Sequence, residues 1–148
     1  MEENKMRNLK AREFIRLSGE INSLYHEAAV KAGVSDSVLN ILYVLCEKEY
    51  RCLQSDIFRL TGMSRQTINS AIRKLEKDGI VYMEQGTGRN TIVCLTDKGK
   101  QYTDKSILPL LDIENRIWNE WTTEEQQQYL TLTKKYCDSF KKFVKEDF

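Results

Sequence analysis

Residues 53–80 read LQSDIFRLTGMSRQTINSAIRKLEKDGI, and residues 81–99 continue VYMEQGTGRNTIVCLTDKG. Residues 54–61 form a short amphipathic stretch that Gly62 ends. Ser64 then stands where a helix N-cap is needed, its oxygen accepting a bond from an otherwise unpaired first-turn N–H. Ile68, Ala71, Ile72 and Leu75 recur at helical spacing and mark the buried face of the helix that follows. Arg65, Gln66, Asn69, Ser70 and Arg73 fall on the opposite side, and Gly79 supplies the stop. Two β-prone runs, 80–84 and 91–95, bracket Gly86 and Gly88 and predict a hairpin with Arg89 and Asn90 at its tip. Helix, tight turn, capped helix and hairpin, in that order, make a winged helix-turn-helix.

The rest of the chain reads as helices around this unit. Phe14, Leu17, Ile21, Leu24, Tyr25 and Ala28 give a helix over residues 6–31, ended by Gly33. Ser35 caps the next, with Val38, Ile41, Leu42 and Leu45 on its apolar stripe, and Cys52-Leu53 forms a short extended link. Thr96 or Asp97 opens a long helix to residue 120, bent at Pro109. Thr122-Thr123-Glu124-Glu125 is a capping box opening a last helix to residue 146. The fold class is therefore mainly α, with an α/β wing: one domain over 1–148, a winged part at 34–99, and flanking helices at 6–31 and 100–146. Those flanking helices are apolar on more than one face, through Ile107 to Trp121 and through Tyr129, Leu132, Tyr136, Phe140, Phe143 and Val144. A chain of 148 residues has little core left to cover them, so a homodimer built on the flanking helices is expected.

Composition narrows the function. The chain is 41% hydrophobic and 30% charged with a net charge of +1, which suits a soluble domain rather than a polycation. Residues 53–96 hold Arg59, Arg65, Arg73, Lys74, Lys77 and Arg89 against Asp56, Glu76, Asp78 and Glu84, a weak local excess of positive charge that is consistent with a phosphate-facing patch and does not by itself establish one. No apolar run reaches membrane-spanning length, and MEENKMRNLKAREF has none of the character of a secretory signal, so a cytoplasmic protein is expected. Cys46, Cys52, Cys94 and Cys137 form no C-x-x-C pair, and with one histidine they complete no common zinc set, so neither metal nor cofactor is expected. One histidine also removes most triads, and no phosphate-cradling glycine loop is present; the chain does not read as an enzyme.

The exposed face of the capped helix carries the chemistry. Arg65 can donate bidentately to guanine O6 and N7, and Gln66 and Asn69 match adenine N6 and N7. Ser64, Thr67 and Ser70 can bond phosphates or bases, while Arg73 and Lys74 suit phosphates. Arg89, flanked by Asn90, suits a narrow minor groove, where negative potential concentrates. Tyr25 and His26, with Tyr43, could line a pocket for a phenol or carboxylate; they could equally be two core tyrosines and a surface histidine.

The same residues carry a resemblance. VSDSVLNILYVL (34–45), QSDIFRLTGMSRQTINSAIRKLEKDGI (54–80) and GRNTIVCLTDKG (88–99) resemble the MarR family (multiple antibiotic resistance regulators). The last has an arginine (Arg89), five residues, Leu95-Thr96, two residues and Gly99. The resemblance implies a dimeric winged helix with interlocked terminal helices. It also implies transcriptional repression at a pseudo-palindromic double-stranded DNA operator, relieved by a small phenolic or anionic effector or by oxidation. Thr87 departs from the family's usual aspartate two residues before the wing arginine, which implies a less firmly held Arg89. Two further readings share the fold: a thiol-based redox switch at the cysteines, and a winged-helix protein-interaction module without DNA binding.

Overall fold

The computed structural model describes residues 8–148, so residues 6 and 7 of the expected first helix, and the first seven of the N-terminal stretch, lie outside the described residues. Ten elements follow in order: α1 (Leu9–Ala32), α2 (Asp36–Glu47), β1 (Arg51–Leu53), α3 (Gln54–Thr61), α4 (Arg65–Lys77), β2 (Val81–Gln85), β3 (Thr91–Leu95), α5 (Asp97–Ser106), α6 (Leu108–Asn119) and α7 (Thr123–Asp147). The chain divides into two compact units, the first ending at Leu110 and the second running over Leu111–Phe148.

In the first unit the caps set the boundaries. Ser35 Oγ accepts from Val38 N at 3.2 Å and Ser64 Oγ from Thr67 N at 3.1 Å. Gly33 and Gly62 close their helices in the left-handed region, at φ 73° and 66°, where glycine has no Cβ to clash. The apolar stripes expected of α2 and α4 are all buried: Val38, Ile41, Leu42 and Leu45, and Ile68, Ala71, Ile72 and Leu75.

Two expectations need correction. The extended link at Cys52-Leu53 is a paired strand: β1 runs antiparallel to β3, with Cys52 opposite Val93, giving a three-stranded sheet in the order β1-β3-β2. The turn that delivers it places Glu49 and Tyr50 at φ 56° and 74°. Two successive non-glycine residues rarely adopt that conformation. The single helix bent at Pro109 is two helices, because Pro109 has no N–H to donate to the carbonyl four residues back. α5 stops at Ser106, Ile107 is the break, and Pro109 sits harmlessly in the first turn of α6.

Register fixes the faces of the sheet. Val81, Met83, Val93, Leu95 and Cys52 share the inner face, against which α3 and α4 pack. Cys94 lies on the other face, with Arg51 and Tyr82 as its cross-strand neighbours. Cys52 and Cys94 thus point to opposite sides of adjacent strands and are not placed to form a disulfide.

The second unit holds most of α6 and the 25-residue α7. Thr122 and Glu125 form the expected capping box, with Thr122 N donating to Glu125 Oε1 at 2.9 Å and Glu125 N to Thr122 Oγ1 at 3.1 Å. Trp118 and Trp121 lie tilted with ring centroids 5.0 Å apart, and both meet Tyr129 edge-on at 5.7 and 5.1 Å across the turn before α7. No residue of α7 is buried.

Candidate nucleic-acid interface

The face of α4 that carries Arg65, Gln66 and Asn69 is open. Ser64, Arg65, Gln66, Thr67, Ser70, Arg73 and Lys74 are all exposed, and Asn69 is half-buried. The four buried positions on the opposite side anchor the helix, so these side chains are presented on a rigid element.

Several of them are already held. The Arg65 guanidinium lies over the Phe58 ring, 5.1 Å from its centroid, a cation–π contact that orients the side chain without consuming its donors. Gln54 Nε2 donates to Asn69 Oδ1 at 2.7 Å. That bond leaves both N–H donors of the Asn69 amide, and its oxygen's second lone pair, free for a further partner. Ser64 Oγ donates to Thr67 Oγ1 at 2.7 Å, which ties the two hydroxyls of the first turn together. Phe58 and Gln54 come from α3, and the sequence pattern gave no sign of either contact.

α2 also reaches this face. Ser35 and Ser37, at its N-terminal end, line an open groove of about 430 Å3 with Gln66, Thr67, Ser70 and Lys74. Hydroxyl groups and an ammonium dominate its polar rim, the chemistry that meets phosphate oxygens. The apolar periodicity of α2 showed its core and hid this end.

The wing tip is braced by its own backbone. Gly86 N donates to Asn90 O at 2.8 Å, Asn90 N to Thr87 O at 3.3 Å, and Gln85 Nε2 to Gly88 O at 2.8 Å. Gly88 adopts φ 68°. Arg89 and Asn90 are exposed at the apex, and Arg89 makes no ion pair among the described residues. The tip is therefore tied through its main chain, with the exposed Arg89 side chain outside that network.

Tyr25, His26 and Tyr43 are less concentrated. Tyr25 and His26 are exposed on α1, and Tyr43 is half-buried on α2. His26 Nδ1 lies 2.9 and 3.0 Å from the two carboxylate oxygens of Asp36, tying α1 to the first turn of α2. Burial pushes the Cys46, Cys52 and Cys94 thiols above the ordinary thiol value, and Cys137 is exposed on α7.

A family model described as the MarR family matches residues 32–89, the span from the last residue of α1 to the wing arginine. Over that span the chain is similar to the MarR family. The solved structures agree with the MarR fold well beyond that span. A MarR family regulator from Neisseria meningitidis superposes with a TM-score of 0.84 at 13% identity, covering 94% of this chain and 99% of its own. A MarR family regulator from Streptomyces coelicolor, solved in complex with DNA, gives 0.70 at 18% identity, covering 88% and 85%. NadR, solved in complex with 4-hydroxyphenylacetate, gives 0.71 at 15% identity, covering 88% and 94%. No curated protein matches the sequence. No single helix among the described residues is long and apolar enough to cross a membrane.

Proposed function

We propose that the protein is a DNA-binding transcriptional regulator, a repressor that binds a pseudo-palindromic duplex as a homodimer and is released by a small effector. The observation that carries this is the α4 surface: one arginine held over a ring, one amide held by a neighbouring amide, and hydroxyls and cations along the same exposed face. A generic solvated helix has no reason to brace its surface side chains from a second helix. Arg65, Gln66 and Asn69 act as base readers, and Ser64, Thr67, Ser70, Arg73 and Lys74 meet the backbone. Arg89 and Asn90 enter the adjacent minor groove. Residues 34–99 form the DNA-binding part.

The homodimer rests on α1 and on residues 100–146. Leu17, Ile21 and Leu24 on α1, and Leu132, Phe140 and Phe143 on α7, are each 45–63% exposed. Large apolar side chains in such numbers need a second surface, and a twofold copy provides it. Two copies place two α4 helices for two half-sites. A regulator of this kind works in the cytoplasm on double-stranded DNA, without catalysis. Tyr25, His26 and Tyr43 suit a phenol better than an anion, because the Asp36 carboxylate already faces His26. The thiol-switch reading is weakened by the raised thiols, since the thiolate is the reactive form.

Arg65→Ala, Lys74→Ala and Arg89→Ala test the assignment on specific and scrambled duplexes at two salt concentrations. Arg65→Ala should cost about 1–3 kcal/mol per half-site on the specific duplex and relax preference at one position. Lys74→Ala should weaken all duplexes alike and reduce the salt slope by about one. Arg89→Ala should cost most where A·T-rich flanks narrow the minor groove. Equal losses on every duplex for all three variants would remove Arg65 as a base reader.

A further inference from the structure

Arg65 is the first residue of α4, and a ring from α3 covers one face of its guanidinium. The guanidinium carbon stands 5.1 Å from the centroid of Phe58. Phe58 is half-buried, and the neighbouring Ile57 is fully buried, so the packing of α3 sets where the ring lies. Arg65 takes no part in an ion pair among the described residues. Its donors are not spent on a carboxylate.

A guanidinium carries its five N–H donors around its edge, and its two flat faces are weakly hydrated. Phe58 covers one face and leaves the edge open. The second face is apolar surface beside donors that suit guanine O6 and N7. On a duplex, the group that covers it best is apolar, lies in the major groove and adjoins the guanine. The thymine C5 methyl is the apolar group that the base pairs present there. Right-handed stacking sets the C5 position of a pyrimidine against the major-groove edge of the guanine that follows it. The step that fits is 5′-TG, and 5-methylcytosine before guanine carries the same methyl in the same place.

We propose that Arg65 reads a 5′-TG step, its edge donating to the guanine and its free face lying on the methyl of the preceding thymine. Phe58 is the positioning residue: it fixes the plane of the guanidinium, so the methyl is met without re-ordering a long side chain. One buried methyl corresponds to about fourfold in Kd per half-site, and about fifteenfold for two. This deepens the proposed reading of α4 as the DNA-binding helix and rests on it.

The test starts from a duplex selected from a random library with the full chain, and from the guanine in it at which Arg65→Ala relaxes preference. Synthetic duplexes then carry thymine, uracil, cytosine or 5-methylcytosine 5′ to that guanine in both half-sites. Thymine against uracil, and 5-methylcytosine against cytosine, each change one methyl and no base pairing. The parent should bind the methylated member of each pair about fifteenfold more tightly. Phe58→Tyr should keep that ratio, and Phe58→Leu should remove most of it. Arg65→Lys, which keeps the charge and loses the flat faces, should abolish it. Ratios near one in the parent, with the guanine preference intact, overturn the methyl contact and leave α4 as the reader. A ratio that Phe58→Leu leaves unchanged overturns the role of the ring. If Arg65→Ala relaxes preference at no guanine, the reading of α4 itself is overturned.

Discussion

If α4 reads bases as proposed, Gln54 contributes to that reading without touching a base. Its amide donates to Asn69 Oδ1 at 2.7 Å in a half-buried position, a neutral hydrogen bond worth about 0.5–1.5 kcal/mol net. Gln54→Ala removes that bond from the free protein and lets the Asn69 amide rotate. Ordering it again on a duplex costs about 0.5–1.5 kcal/mol for one freed side chain. With about 1 kcal/mol at each of two half-sites, a dimer should lose about 2 kcal/mol, or roughly 30-fold in Kd, on its specific duplex. A scrambled duplex should be bound within about twofold of the parent, because no phosphate contact has been touched. Asn69→Ala should cost about 1–3 kcal/mol per half-site. Combining the two should cost no more than Asn69→Ala alone, within about 0.5 kcal/mol, since Gln54 acts through Asn69. Fluorescence anisotropy on the four proteins and two duplexes decides it. Losses that add, or a Gln54→Ala loss that is the same on both duplexes, would refute the bracing argument.

Gly99→Ala should lower thermal stability sharply. A methyl at that position would collide with the main-chain carbonyl of Ile80, which cannot rotate away, and would also press on Leu95. Overpacking of that kind costs about 1–3 kcal/mol or more, whereas Gln101→Ala, exposed on the same helix, should change stability by less than about 0.5 kcal/mol; melting curves of the two variants compare them, and similar melting points would contradict the close approach. The thiols give a pH dependence. Burial holds the Cys46, Cys52 and Cys94 pKa values above those of the unfolded chain, so their contribution to stability is full below the unfolded thiol value of about 8.5 and is lost as pH rises through the folded values. The urea midpoint should therefore fall between pH 8 and pH 10, by less when Cys94 is replaced by alanine, and at pH 7.5 a thiol reagent should modify exposed Cys137 before the other three. A flat midpoint, or Cys52 reacting first, would sink this reading.

The winged helix was legible because its signals are local. Ser64 sits one residue before α4, Gly62 one residue after α3, and the period of Ile68, Ala71, Ile72 and Leu75 states which face is buried. The wing announced itself by β-prone runs around Gly86 and Gly88. What stayed hidden depends on distant partners. Three residues of β1 have too little alternation to identify a strand, and only the pairing of Cys52 with Val93 makes them one. The Ile107 break is not legible because Pro109 both bends helices and starts them, and sequence does not say which use the chain makes of it. Phe58 and Gln54 looked like ordinary α3 residues; their contacts with Arg65 and Asn69 appear only when α3 and α4 cross.

The central claim is that two copies of this chain read a symmetric duplex through α4. It is tested most directly by selecting bound duplexes from a random library with the full chain and sedimenting the selected complex. The account predicts enrichment of an inverted repeat with half-sites about 10–10.5 base pairs apart, centre to centre. It also predicts a complex containing two 17.4 kDa chains. Failure to enrich any sequence, or a single chain bound to a site without symmetry, would contradict it.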